Sequence, residues 1–199
     1  MKKQRVVWVA VCFLAAAVCS VAEEAGTLTV GVKAWNSDPE YNADAVLVWG
    51  PLVSMNLGGD FWLSGLYLQG ERDYDLGFSS KEHDAEAIFG MSFDMFDIGV
   101  GGRYSKYSET EAFGPMAFAG LGSLFGDMPL GWYATAGWMF YDFGDAEDAE
   151  NTLVHYNAEA GLSYIYKMIV ATVGFRYRDY YELDEVSEQG FTGSVSLRF

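Results

Sequence analysis

The last nine residues of the chain, 191–199, read FTGSVSLRF, and two kinds of side chain alternate along them. The odd-numbered positions from Phe191 to Phe199 carry aromatic or aliphatic side chains or glycine, and the even-numbered positions carry small, polar or basic ones. Successive side chains of a β-strand point to opposite faces of a sheet. The segment therefore predicts a strand with one apolar face and one polar face.

The same period of two recurs upstream. Alternating segments lie at 27–34, 85–93, 98–105, 132–141, 155–164 and 171–178. Beyond the N-terminal segment, no stretch approaches the roughly 18 apolar residues of a membrane-spanning helix. No sustained helical period occurs either, so the pattern predicts an all-β protein.

Two further segments, 44–57 and 112–125, are apolar on both faces. Each contains a Gly-Pro pair after an aromatic residue, Gly50-Pro51 in the first and Gly114-Pro115 in the second. Because proline cannot donate a hydrogen bond to a neighbouring strand, we expect a bulge or irregular pairing at both sites.

With segment 60–71, the count reaches ten strands, and eight is the alternative count. Tight turns are expected at 57–60, 94–97, 126–129 and 165–168. Longer, acid-rich loops are expected near 36–43, 72–83, 106–113, 142–151 and 179–187. Short and long connections that alternate in this way predict a closed antiparallel up-and-down β-barrel.

Side-chain size indicates which face of the barrel is outside. The apolar set is rich in Trp, Phe, Tyr, Leu and Met, which would crowd a narrow interior, whereas the opposite set is dominated by Gly, Ser and Thr. Apolar residues outside and polar residues inside is the arrangement of a transmembrane barrel. Aromatic residues near strand ends are expected to form interfacial girdles: Trp35, Trp62, Trp132, Tyr141, Tyr164 and Tyr177.

The N-terminal segment predicts export. A basic head, Met1–Arg5, precedes an apolar run from Val6 to Val18, and Ser20 and Ala22 occupy the small-residue positions before a cleavage site. We expect a signal peptide over 1–22 and a mature barrel domain over 23–199. The alternatives are a membrane anchor, for which the run is shorter than the roughly 20 residues needed, and a lipoprotein cut before Cys19.

Composition excludes several classes of function. The net charge is −16, with 12 basic and 28 acidic residues, so nucleic-acid binding is not expected. A content of 51% hydrophobic and 17% aromatic residues argues against disorder. Cys12 and Cys19 both lie in the predicted leader, which leaves the mature chain without a disulfide or a thiolate.

The aromatic C-terminal segment, together with the leader and the strand meander, resembles the terminal strand of Gram-negative outer-membrane β-barrel proteins. The resemblance implies a location in the cell outer membrane, contact with outer-membrane lipid and lipopolysaccharide, and recognition by the barrel-assembly machinery. The residues that carry this assembly signal are Phe191, Val195, Leu197 and Phe199. We expect a monomer. The superfamily contains structural proteins, adhesins, narrow pores, lipid A-modifying enzymes and proteases, so it does not fix the function.

Charged residues on the polar face are the candidate lumen or gate residues: Lys33, Glu86, Arg103, His155, Glu159, Arg176, Arg178 and Arg198. If the tight turns set the register, Glu86 lies near Arg103 and Glu159 lies near Arg176. Opposite charges inside a narrow barrel attract strongly, and an unpaired one is costly. These residues therefore predict either an ion-pair network that fills the lumen or the gate of a narrow cation-preferring pore.

Two acidic groups occur in the predicted loops. The first comprises Asp142, Asp145, Glu147, Asp148 and Glu150, and the second comprises Asp179, Glu182, Asp184, Glu185 and Glu188. Calcium takes several oxygen ligands, so the first group is a weak candidate for a metal site. No EF-hand spacing is present, and solvated loops are the simpler interpretation. No metal or cofactor is expected.

Two short motifs resemble parts of enzyme sites. His155-Tyr156-Asn157 faintly resembles the His-x-Ser element of outer-membrane lipid A deacylases, but asparagine replaces the serine, which removes the acyl-enzyme route. His83-Asp84 faintly resembles the paired Asp/His sites of outer-membrane proteases. Neither motif is complete, so we expect a structural or surface-interaction role rather than catalysis.

The assignment of the apolar face to the outside of the barrel has a direct test. The chain from 23 to 199 is expected to fold only when detergent or lipid covers its apolar face, because that face would otherwise be exposed to water. Circular dichroism and gel mobility in buffer, with and without detergent, measure this. A folded, soluble barrel in detergent-free buffer would contradict the assignment.

Overall fold

The chain forms a closed antiparallel barrel of ten strands in the computed structural model, which describes residues 27–39, 44–74, 78–107, 110–141, 155–180 and 187–199. Each strand pairs with its neighbours in sequence, and the first pairs with the last. The strands are β1 Leu28–Pro39, β2 Val46–Gly58, β3 Phe61–Tyr74, β4 Phe78–Phe93, β5 Phe96–Tyr107, β6 Thr110–Leu124, β7 Leu130–Met139, β8 His155–Tyr166, β9 Ile169–Tyr180 and β10 Ser187–Arg198. The prediction of ten strands is confirmed, and the alternative of eight is wrong.

In the described residues there is no helix long and apolar enough to cross a membrane.

The four predicted tight turns lie at one end of the barrel, which we call the turn end. They join β2 to β3, β4 to β5, β6 to β7 and β8 to β9. Gly58 and Gly59 have φ values of +94° and +60°, which glycine adopts without steric cost. At the same end, the Leu28 and Phe199 backbones exchange hydrogen bonds of 3.2 and 2.8 Å and close the barrel. The opposite end is the loop end.

The predicted long loops at 72–83 and 106–113 are wrong, because most of their residues belong to strands. β3 continues to Tyr74 and β4 begins at Phe78, while β5 continues to Tyr107 and β6 begins at Thr110. Acid-rich composition suggested loops, but period-two alternation continues through these residues and directs alternate charges into the barrel. Ladder pairing therefore extends beyond the apolar part of each strand.

One Gly-Pro pair lies in a gap of a strand ladder and the other lies where a ladder begins, and neither shifts the register. Pro51 remains opposite Val32 of β1, but β2 and β3 are unpaired between Trp49 and Leu52. The register shift between β2 and β3 lies instead between Asn56 and Gly58. Pro115 also remains opposite β5, and the ladder with β7 starts at the next residue, Met116. The Pro115 carbonyl accepts a hydrogen bond of 3.3 Å from Phe140 N–H, directly after β7. Proline removes one donor from the ladder, which explains a gap rather than a bulge.

Bulky apolar side chains cover the outside of the barrel, as the alternation predicts. Val100 is 65% exposed and Phe191 is 72% exposed, and the other large outward residues include Val32, Trp49, Phe96, Trp138, Val173 and Val195. Glycines face inward where neighbouring backbones approach closely. A Cβ atom at Gly101 would lie 2.0 Å from the carbonyl oxygen of Ala87.

Two of the predicted girdle residues, Trp35 and Trp62, are inside the barrel. Trp35 follows Lys33 by two positions on β1, so it shares the inward face, and it is only 1% exposed. Trp62 lies partly buried against Phe118. Of the other four, Trp132, Tyr164 and Tyr177 lie on the outward face of their strands, and Tyr141 is exposed after β7.

The interior is less uniformly small and polar than the sequence predicts. One apolar cluster contains Trp35, Val46, Val48 and Leu68. A second contains Ile88, Ala112, Met116 and Met139, with Trp62 and Phe118 packed against it. The segments that are apolar on both faces supply many of these side chains, since one of their faces must point inward. These clusters occupy lumen space that would otherwise hold water.

Adjacent glycines on β5 provide a matched test of the packing. Gly101→Ala is expected to destabilise the barrel by about 1–3 kcal/mol, because its methyl group collides with the β4 backbone. Gly102 is on the opposite face, where the nearest atom to an added Cβ is 3.8 Å away, so Gly102→Ala should change stability by less than about 0.5 kcal/mol. Equal midpoints for the two variants in urea unfolding would contradict the inward packing.

Candidate functional site

The inward faces of five strands bring eight charged side chains together near the loop end of the lumen. We call this group the charged plug: Arg72, Glu82, Asp84, Glu86, Arg103, Arg176, Arg178 and Glu188. β3, β4, β5, β9 and β10 supply them. Alternation fixes their direction, because each follows the inward phase of its own strand.

Asp84 is the centre of the charged plug. Arg103 donates to its two carboxylate oxygens through Nε and Nη2, both at 3.1 Å. Arg176 donates through Nη2 at 3.4 Å, and Arg178 also donates to Asp84. One carboxylate thus contacts three guanidinium groups. β4 and β9 lie opposite each other in the ten-stranded barrel, so the bonds from Arg176 and Arg178 cross its full width.

Arg72 extends the charged plug towards the loop end. Its guanidinium contacts the Glu82 carboxylate, including an Nη2–Oε2 hydrogen bond of 3.1 Å, and donates to Glu188 at 2.6 Å. Ser37 accepts a hydrogen bond from Arg72 at 3.0 Å and donates one to Glu188 at 3.0 Å. Glu188 in turn lies 3.6 Å from Arg178, which joins this part to Asp84.

Glu86 lies on the turn-end side of the charged plug, where Asn157 of β8 also contacts it. Glu86 accepts a hydrogen bond from Arg176 at 3.1 Å and lies 3.5 Å from Arg103. Arg103 also donates to the amide oxygen of Asn157 at 2.6 Å. The Arg103 guanidinium therefore has partners on β4 and β8 at once.

A second ion pair lies nearer the turn end. Lys33 donates to Glu159 at 2.5 Å, and the Tyr133 hydroxyl donates to the same carboxylate at 2.8 Å. Together with the charged plug, the ion pairs of the described lumen contain five cationic side chains and five carboxylates. The network is balanced in charge, which is the condition under which buried ions are tolerated.

Trp35 packs against the arginines of β9. The guanidinium carbon of Arg176 lies 5.1 Å from the centre of the indole ring and that of Arg178 lies 4.8 Å from it, within cation–π range. The apolar cluster with Val46, Val48 and Leu68 lies beside this contact. The cavity between Trp35 and Glu82 has a volume of about 10 Å³, which is room for about one water molecule at most.

The turn-end half of the lumen is more open. A cavity of about 240 Å³ lies against the charged plug, with Lys33, Tyr133, Glu159 and Arg176 on one side and Leu52, Leu66, Ile88 and Phe118 on the other. A second cavity, of about 320 Å³, shares Tyr133 and Thr135 with the first and extends to the turn at Asp94. The lumen is therefore filled near the loop end and hollow near the turn end.

The structure brings seven of the eight candidate lumen residues into the interior: Lys33, Glu86, Arg103, His155, Glu159, Arg176 and Arg178. Arg198 is apart from them, exposed at the end of β10, and its backbone N–H donates to Met168 at 2.7 Å. Glu86 and Arg103 are opposite in register and form an ion pair. Glu159 and Arg176 are also opposite in register, but Glu159 pairs with Lys33.

Four residues of the charged plug were missed by sequence reasoning. Arg72, Glu82 and Asp84 lie in or beside the supposed loop at 72–83, and Glu188 was placed with the second acidic loop group. Glu188 is instead buried inside the barrel beside Arg72. The usable signal was strand phase, because Glu82 and Asp84 lie four and two positions before Glu86 and so share its inward face of β4.

The candidate metal group lies outside the described residues, whereas the candidate enzyme motifs lie within them. The acidic residues from 142 to 150 lie outside the described residues, and within the described ranges no group of three or more His, Cys, Asp or Glu could hold a metal ion. His83 faces outward, where Nδ1 lies 2.8 Å from the Tyr67 hydroxyl, whereas Asp84 faces inward. The two therefore do not form a site. Asn157, two positions after His155, accepts a hydrogen bond from Arg103.

No protein-family model matches the sequence, and no curated protein sequence matches it. Among solved structures, the chain is similar to Neisserial surface protein A, with 14% identity, a TM-score of 0.42, and coverage of 87% of this chain and 99% of that one. It is also similar to the translocator domain of the autotransporter NalP from Neisseria meningitidis, with 12% identity, a TM-score of 0.45, and coverage of 98% of each chain.

Asp84 provides the test of the charged plug. Asp84→Asn is expected to lower the free energy of unfolding by about 3–5 kcal/mol, because it leaves three buried guanidinium groups with one fewer carboxylate. The control is Glu111→Gln, which breaks an exposed ion pair with Lys106 and should cost no more than about 1 kcal/mol. Urea unfolding in lipid vesicles, followed by tryptophan fluorescence, measures both. Similar losses for the two variants would contradict a central role for Asp84.

Proposed function

We propose that the protein is an integral outer-membrane β-barrel with a structural or surface-interaction role, and that the charged plug keeps its lumen closed. The observation that carries this proposal is the burial of Arg72, Arg103 and Arg176 in a balanced ionic network across the barrel. Opening a continuous path would require separating these ion pairs, and a buried charge without its partner is strongly unfavourable.

The outer surface supports the membrane part of the proposal. Each strand has 10 to 16 residues, and a tilted strand needs about 9–11 to cross the hydrocarbon core. A closed barrel satisfies backbone donors and acceptors within the sheet, which lipid cannot do. The exposed apolar side chains on the outer face would be covered by acyl chains.

The short turns support an orientation. In bacterial outer-membrane barrels the short turns face the periplasm, so we place the turn end there and the loop end at the cell surface. Phe191, Val195 and Leu197 are exposed on β10, and Phe199, directly after it, is 62% exposed. We propose that these side chains carry the signal that the barrel-assembly machinery recognises. We further propose that the barrel is monomeric.

A narrow cation-preferring pore is the alternative function. The hollow turn-end half of the lumen favours it, as does the net charge of −16, because acidic mouths concentrate cations. A hydrolytic function has less support, because His83 and Asp84 face opposite sides of the wall and Asn157 stands where a deacylase would need serine.

Planar-bilayer recording separates the closed barrel from the pore. The refolded wild-type protein is expected to give no discrete conductance steps, since the charged plug fills the loop-end half of the lumen. Insertion is verified separately by protection from protease in vesicles. Reproducible cation-selective steps from inserted wild-type protein would overturn the closed barrel in favour of the pore.

Substitutions in the charged plug test whether it closes the lumen. Arg103→Ala and Arg176→Ala are each expected to produce or raise conductance, because each removes a guanidinium that crosses the lumen. The double variant Arg103→Ala with Asp84→Ala removes one charge of each sign, so the net charge of the charged plug is unchanged. The matched control is Lys106→Ala with Glu111→Ala, an ion pair on the outer wall. Equal conductance in the two double variants would contradict closure by the charged plug.

A further inference from the structure

Basic side chains outside the lumen are concentrated in one place. Within the described part of the chain, Lys81 and Lys106 are the two lysines on the loop-end half of the outer wall, and His83 lies with them. Most other described basic side chains point inward, and Lys167 and Arg198 lie at the turn end. We call Lys81, His83 and Lys106 the basic patch. It occurs on a protein with a net charge of −16.

The register of β4 and β5 places these three residues side by side. His83 is directly opposite Lys106. Lys81 is two positions further along β4 towards the loop end, on the same face as His83. Directly opposite side chains in an antiparallel pair have Cβ atoms about 5 Å apart, and diagonal ones about 7 Å. A single anionic group can therefore contact more than one of them.

Tyr67 connects the basic patch to the apolar surface on its turn-end side. The Tyr67 hydroxyl lies 2.8 Å from His83 Nδ1, and the two rings stack with centroids 6.0 Å apart. This contact fixes the imidazole on the wall. Towards the turn end, the outward residues of the same strands become apolar, including Phe89 and Val100. The basic patch thus lies just above the apolar band, at the depth where lipid headgroups begin.

The carboxylates beside the basic patch are exposed to solvent, so another anion can replace them. Glu111 pairs with Lys106 at 2.7 Å, but 54% of its side chain is exposed to solvent. Glu71 is opposite Lys81 in register and accepts a hydrogen bond from Ser79 at 3.1 Å. Exposed ion pairs contribute little to stability. A phosphate with greater charge can displace these carboxylates at low cost.

We propose that the basic patch binds the phosphate groups of an anionic lipid of the outer leaflet. The lysine ammonium groups contact the phosphate oxygens, His83 adds a ring nitrogen, and Tyr67 packs at the boundary with the acyl chains. Basic clusters at this depth are suited to anionic headgroups. A lipid fits better than free phosphate because the basic patch adjoins the apolar band. The inference rests on the proposed function, since the lipid contact requires a barrel embedded with its loop end outward.

Titration of the refolded protein in neutral detergent micelles tests this inference. The probes are lipid A that carries its phosphates, the same lipid A after removal of its phosphates, and inorganic phosphate. The thermal unfolding midpoint at each concentration gives an apparent affinity. Phosphorylated lipid A should raise the midpoint, and the other two probes should raise it much less. Equal effects of the dephosphorylated lipid, or of inorganic phosphate, would overturn recognition of a lipid phosphate.

Variants identify the residues responsible. Lys81→Gln and Lys106→Gln should each weaken the apparent affinity for phosphorylated lipid A by about fivefold, whereas the control Lys167→Gln should leave it unchanged. Glu111→Gln should strengthen binding, because it frees Lys106. An unchanged affinity in the Lys81→Gln, Lys106→Gln double variant would overturn the site. Insertion into neutral vesicles is measured in parallel, so loss of lipid A binding is distinguished from failure of the membrane barrel itself.

Discussion

The contact of Asp84 with Arg103, Arg176 and Arg178 is the interaction on which the rest of the barrel depends. These buried charges are tolerated inside a narrow barrel only because they form ion pairs with one another. A slip of one residue in any contributing strand would turn its charges towards the apolar surface. The ionic network and the strand register therefore reinforce each other, and the alternating sequence satisfies both.

The two halves of the lumen follow from where the large and small inward residues lie. Near the loop end, arginines, carboxylates and the Trp35 cluster fill the cross-section. Near the turn end, serine and threonine side chains, together with apolar ones such as Ile88 and Phe118, line wider space around Tyr133. A barrel filled at one end and hollow at the other fits a closed membrane scaffold, and it also explains why a narrow pore is the natural competing interpretation.

Sequence reasoning succeeded where the determining interactions are local. Period-two alternation and short turns gave ten strands, and the turn at Asp94 placed Glu86 opposite Arg103. It failed where partners are distant in sequence, because Arg178 and Asp84 are 94 positions apart and Arg72 and Glu188 are 116 apart. Strand ends were misplaced for the same reason. Polar residues near the loop end resemble a loop unless their partners across the lumen are known.

Bonds that cross the lumen also affect the mechanical behaviour of the barrel. A ring of strands held together only by its wall can flatten into an oval, because hydrogen bonds between neighbours tolerate small changes of angle. Contacts of Asp84 with β9 span the full diameter, and Lys33–Glu159 joins β1 to β8 along a shorter chord. Together they act as internal braces in two directions, so the barrel should keep a circular cross-section under lateral pressure.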